Sequence, residues 1–211
     1  MPPDRYIYDP GDPTPDSRAY EESEQDEKRT RSTLERRKEA EEYQATITAT
    51  RNDILVFTTD PLDKPVTIVG PVSAKLYASS SARDTDWFML LSEVKAGGEI
   101  LPLSQGKVRA RYRMSMTKPT LLTPGKVYEY TMDLWQTGVT IERGSRLRVE
   151  VSSAAFPFFS RNLNTGGHSE KETRFVAARQ AVFHEARYPS HLLLPIIPLP
   201  PGVGACDPRV P

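Results

Sequence analysis

Val72-Ser73-Ala74-Lys75-Leu76-Tyr77-Ala78 alternates apolar and polar residues with a period of two, the signature of a strand with one face buried. After the polar break Ser79-Ser80-Ser81-Ala82-Arg83-Asp84-Thr85-Asp86 comes Trp87-Phe88-Met89-Leu90-Leu91-Ser92-Glu93-Val94, apolar on both parities for its first five residues, which predicts a strand covered on both faces. Two such strands cannot close a core alone, so the rest of the chain must supply more sheet.

The same grammar runs through the remainder. Asp53 to Thr59 reads as a short strand ending at Asp60-Pro61, and Val66 to Val69 as another that breaks at Gly70-Pro71. Ala96-Gly97-Gly98-Glu99 predicts a hairpin turn, where glycine takes positive φ without strain. Val108, Ala110 and Tyr112 alternate with Arg109, Arg111 and Arg113, an arginine face that fits either phosphate or acidic neighbours on adjacent strands. Val127 to Trp135 places Tyr128, Tyr130, Met132 and Leu134 on one side, and Leu147, Val149 and Val151 point inward from Arg146 to Val151. Residues 152–172 form a long loop with three phenylalanines, a composition that predicts docking against the body of the protein. Segments 173–184 and 191–197 close the sheet. Roughly nine strands separated by turn signals predict an all-β fold, an antiparallel sandwich of two sheets and most simply a jelly roll, over residues 46–198.

The ends differ in character. Residues 1–16, with Tyr6-Ile7-Tyr8-Asp9-Pro10 and Pro13-Thr14-Pro15, read as an extended connector, either lying on a surface or disordered. Residues 17–45 form a charged helical segment: Glu21 to Glu42 holds nine acidic and six basic residues without proline or glycine. The acid-first pairs Glu24 with Lys28 and Glu27 with Arg31, and a capping box at Ser32 to Glu35, support a solvated helix resting on the domain through Leu34, Ala40 and Tyr43. Residues 199–211 are a Pro-rich tail carrying Cys206.

Lysine plus arginine balances aspartate plus glutamate at 28 each, which gives no electrostatic reason to expect nucleic acid or an anionic membrane as partner. A single cysteine excludes an internal disulfide and a cysteine metal cluster. Neither a spanning apolar run nor a secretory signal is present in this chain, and the compartment stays open. No G-x-S-x-G or H-E-x-x-H occurs. His184 and His191 bracket a turn at Tyr188-Pro189-Ser190 and read as structural, whereas His168 in the long loop fits structure or function equally. Asp84 and Asp86 suit Asx turns better than a calcium site, which needs six to eight oxygens. No catalytic residue, metal ligand or cofactor is expected from these patterns.

Gly70-Pro71-Val72 through Trp87, Gly106 to Arg113, Gly144 to Ser153, Asn162-Leu163-Asn164-Thr165-Gly166-Gly167 and Tyr188-Pro189-Ser190-His191 through Pro195, in this order, resemble the C-terminal non-catalytic domain of X-prolyl dipeptidyl-peptidases, shared by cocaine esterase and α-amino-acid ester hydrolases. Tyr8-Asp9-Pro10 with Asp12-Pro13 resembles the connector that leaves the hydrolase domain. The resemblance implies a galactose-binding-like jelly roll following an α/β-hydrolase domain that carries the whole catalytic triad. Ser145, where the family usually has histidine, and Ala155, near its usual asparagine, depart from the pattern.

Two roles follow as expectations. An accessory domain would pack on an α/β-hydrolase catalytic domain, in cis or as a separate chain, through an apolar patch at Trp135, Phe156, Phe158 and Phe159. A free-standing carbohydrate- or ligand-binding module would instead use Asn162, Asn164 and His168. A second copy of the chain is a further candidate partner.

Overall fold

The computed structural model describes residues 1–17 and 33–198. The charged pairs at Glu24, Lys28, Glu27 and Arg31, the capping Ser32 and the tail with Cys206 lie outside the described residues.

Two antiparallel sheets pack face to face. One runs β1 (Asp4–Tyr8), β8 (Ala178–Phe183), β3 (Val66–Ser80) and β6 (Tyr128–Ile141), with β9 (His191–Leu193) and β10 (Ile196–Ile197) continuing the β8 side of β3. The other runs β2 (Leu55–Thr58), β7 (Arg146–Ser152), β4 (Asp86–Val94) and β5 (Ile100–Arg109). The strand orders 1-8-3-6 and 2-7-4-5 are those of a jelly roll, in which the chain crosses repeatedly between the sheets.

The core follows the alternation of the sequence. Val72, Ala74, Leu76 and Ala78 from β3 meet Trp87, Met89 and Leu91 from β4, with Tyr130, Met132 and Leu134 from β6 and Val151 from β7. Trp87 sits at its centre, edge-on to Tyr6 at 6.5 Å and tilted against Tyr130 at 5.8 Å between ring centroids.

Three elements differ from expectation. Residues 4–8, read as part of a connector, pair with β8 along their whole length and bury Tyr6 and Tyr8, so they are the first strand of the sandwich. The helical segment is therefore inserted between β1 and β2. Its described helix, α1 (Thr33–Thr50), continues past residue 45, because Ile47, two turns on from Ala40 on the same helix face, is buried as Ala40 is. Tyr43 is half-buried, and the side chain of Leu34 lies outside the described residues. Finally, Gly70-Pro71 does not end a strand: β3 runs through it, with Gly70 at φ 126° and both residues paired to β6.

Opposite that point β6 carries one extra residue. Pro71 pairs with Gln136 and Ser73 with Asp133, leaving Leu134 and Trp135 to face Val72 alone. Trp135 takes φ 70°, and its N–H donates to the Asp133 carboxylate at 2.8 Å. The same bulge receives β5: Ser104 Oγ donates to the Leu134 carbonyl, and Gly106 lies so close that a Cβ there would stand 2.2 Å from the Asp133 oxygen. β5 and β6 thus close one open side of the sandwich.

Candidate functional site

The sequence candidates form an aromatic group and a polar group, all in the long loop except Trp135. Trp135, at the crest of the β6 bulge, is 76% exposed, and Phe156 and Phe158 are 39% and 42% exposed. Phe159 is half-buried, packing on Phe88 at 5.5 Å and edge-on to Phe158 at 5.0 Å. No ring contact joins Trp135 to the phenylalanines. β5 lies between them, with Gly106 against the Asp133–Leu134 backbone and Lys107 Nζ 3.4 Å from the centre of the Phe159 ring. Phe156 also ties down the N-terminal segment: its N–H donates to the Thr14 carbonyl at 2.9 Å, and its carbonyl accepts from the Asp16 N–H at 2.8 Å.

A positive φ at a bulky non-glycine residue costs of order 1–2 kcal/mol, and such residues concentrate where a side chain has to be aimed. Trp135 is aimed outward. The large ring gains almost nothing from the fold that positions it.

Asn162 and Asn164 are buried and committed. Asn162 Nδ2 donates to Asp84 Oδ2 and to Asp86 Oδ1, each at 2.9 Å, while its Oδ1 accepts the Asn164 N–H at 2.9 Å. Asn164, at φ 65°, donates from Nδ2 to the Val176 carbonyl at 2.7 Å. Asp86 forms a two-point pair with Arg109, Nε at 2.8 Å and Nη2 at 2.9 Å. Asp84 accepts Arg111 Nε at 2.7 Å and the Arg111 N–H at 2.9 Å, and Arg111 Nη2 reaches the Gly167 carbonyl at 2.8 Å. Burial pushes the Asp86 carboxyl above the ordinary carboxylate range, against the pull of Arg109 and Asn162. The assembly pins the 162–167 loop against the start of β4 and the end of β5. Asn164 Oδ1 alone among these amide groups is buried without a hydrogen-bond partner.

His168 stands apart on an exposed turn, where its carbonyl accepts the Lys171 N–H at 2.9 Å. His184 Nε2 lies 2.9 Å from Asp4 Oδ2, and His191 Nδ1 donates to the Pro189 carbonyl at 2.6 Å. Among the described residues no serine hydroxyl is hydrogen bonded to a histidine.

Of the two readings of the arginine face, acidic neighbours hold for Arg109 and Arg111. Their partners are Asp86 and Asp84, which suit Asx turns by local pattern, and whose spacing of two matches that of the arginines on the segment that pairs with β4, a register signal present in the sequence. Arg113 leaves this face: it donates to the Ala110 and Thr120 carbonyls and lies over the Tyr128 ring at 4.2 Å.

Residues 9–193 match the family described as the X-Pro dipeptidyl-peptidase C-terminal non-catalytic domain. The chain belongs to this family. It is 40% identical over 149 residues to cocaine esterase of Rhodococcus sp. (strain MB1 Bresler), covering 70% of this chain and 26% of that protein. Among solved structures it superposes on an α-amino acid ester hydrolase with TM-score 0.78 and 28% identity, over 93% of this chain and 33% of that one. An aminopeptidase from a marine sediment archaeon, Thaumarchaeota archaeon, gives TM-score 0.74 and 30% identity over the same shares. The chain thus spans a third or less of the length of these relatives, as the non-catalytic C-terminal β domain of larger hydrolases.

Proposed function

We propose that this chain is the accessory C-terminal domain of a serine hydrolase acting on esters or on peptides after an Xaa-Pro unit, and that it packs on an α/β-hydrolase domain and shapes access to its active site. The observation that carries this reading is Trp135, held outward at positive φ with 76% of its surface exposed. A large aromatic ring displayed from a rigid, doubly braced bulge is what a docking anchor requires, because little ordering entropy remains to be lost on contact. Phe156 and Phe158, on the other side of β5, are exposed as well. The named relatives are all hydrolases, and each is at least three times as long as the region it shares with this chain.

The test assays the complete gene product on a short p-nitrophenyl ester and on an Xaa-Pro anilide, beside its Trp135→Ala variant. Weaker inter-domain docking makes the variant more sensitive to limited proteolysis and raises KM more for bulky substrates than for small ones. Absence of hydrolase activity, or a variant indistinguishable from the parent in both measurements, overturns the proposal.

A further inference from the structure

A groove of about 430 Å³ lies on the outer face of the four-stranded sheet, beneath α1 and the 14–17 segment. That is the volume range of small-molecule sites. Its walls are largely apolar, with Phe88, Leu90, Leu103 and Ala154 prominent among them. Glu150 of β7 also lines it, at 4% exposure.

Glu150 is half satisfied. Its Oε2 accepts Gln44 Nε2 at 3.0 Å and Thr48 Oγ1 at 3.1 Å, both from α1. Its Oε1 is buried with no hydrogen-bond partner. No protonation state repairs this: an ionised carboxylate leaves an acceptor bare, and a protonated one leaves either an acceptor or an O–H bare. Burial pushes the carboxyl above the ordinary carboxylate range, and the hydrogen bonds from Gln44 and Thr48, with a smaller pull from Arg148 two residues along the strand, bring it only partly back. Asp16 and Glu41 also line the groove but have partners of their own. None of the described lining residues is lysine, arginine or histidine.

We propose that this groove binds a small organic cation, an ammonium head with an apolar body, whose N–H donates to Glu150 Oε1 while the body packs on Phe88, Leu90 and Leu103. The match is one of charge and shape: acidic side chains and no described basic one line the groove, Glu150 Oε1 is unpaired, and most of the exposed wall is apolar. A neutral alcohol of the same shape can give Oε1 only an uncharged O–H bond, weaker than the charge-assisted one, and an anion is repelled.

The test titrates the full chain with phenethylammonium and, separately, with the neutral 2-phenylethanol, by calorimetry and by ligand-observed NMR. Saturable binding of the ammonium, at least roughly tenfold tighter than the alcohol, is expected. Glu150→Gln, which preserves shape, weakens the ammonium by roughly ten- to a hundredfold and the alcohol by less than about threefold. Leu90→Trp, which fills the groove with Glu150 intact, abolishes binding. Should Leu90→Trp fail to fold, Glu150→Gln alone decides. No binding by the parent chain, equal affinity for ammonium and alcohol, or an unchanged affinity in Glu150→Gln overturns the proposal.

Discussion

Asn162 Nδ2 lies 2.9 Å from Asp84 Oδ2, across a sequence separation of 78 residues, and the same nitrogen bridges to Asp86. One amide thereby joins two ion pairs, because Asp84 is held by Arg111 and Asp86 by Arg109. Replacing Asn162 with alanine removes a donor from two buried carboxylates at once. The expected cost is about 2–3 kcal/mol of stability, read as a lower urea midpoint. Hydrogen exchange at the 162–167 amides accelerates more than at β3, because the anchor of that loop is lost while the sheet remains.

The closure of β5 on β6 depends on a missing side chain. A Cβ on Gly106 meets the Asp133 carbonyl oxygen at 2.2 Å and its carbon at 2.9 Å, both backbone atoms that cannot rotate away. Gly106→Ala therefore pushes the strands apart and costs about 3 kcal/mol. Gly97→Ala, where a Cβ meets nothing within 4 Å, serves as the control and shifts stability by less than about 0.5 kcal/mol. Equal midpoints for the two variants would show that the strands do not touch in this way.

How much of this was legible before any coordinates follows from which signals are local. The period-two runs in β3, β6 and β7 named their own buried faces, since alternation is a property of one strand alone: Tyr130, Met132 and Leu134 are all fully buried. The double-sided apolar run in β4 was equally readable, with Phe88 covered by Phe159 on the outer face. β1 is hidden in the sequence although Tyr6 and Tyr8 alternate, because the prolines that follow give the segment the look of a connector and the pairing partner, β8, lies some 170 residues away. The site was less legible still. The bulge that aims Trp135 is a mismatch between two strands, and the unpaired oxygen of Glu150 exists only because α1 lies over it.

Trp135 offers a separation of stability from function. Its φ of 70° is one that glycine adopts freely, and its exposed ring contributes little packing. Trp135→Gly relieves about 1–2 kcal/mol of backbone strain and gives back about 0.5–1 kcal/mol in unfolded-chain entropy. The isolated chain is expected to gain up to about 1.5 kcal/mol in urea unfolding. In the complete gene product the same variant loosens the proposed docking. A loss of stability in the isolated chain would mean that the ring packs on this domain.

The pH dependence of folding should carry the signature of Glu150. Burial raises its carboxyl in the folded state above its value in the unfolded chain, so the folded protein holds this proton more tightly. The stability contributed by that proton is complete below the ordinary glutamate value and is lost as pH rises through the raised one. As pH rises above the ordinary glutamate range, about pH 4, the parent chain therefore loses stability relative to Glu150→Gln, which cannot ionise. Arg148 on the same strand, and Asp16 and Glu41 on the segments packed above, are present in both proteins, so to first order they cancel from the difference. Urea midpoints for the pair at acid, intermediate and neutral pH should show a gap that widens toward neutrality. A gap that stays constant with pH would place Glu150 in a solvated setting, and one that narrows would mean that a cation already pairs with Oε1.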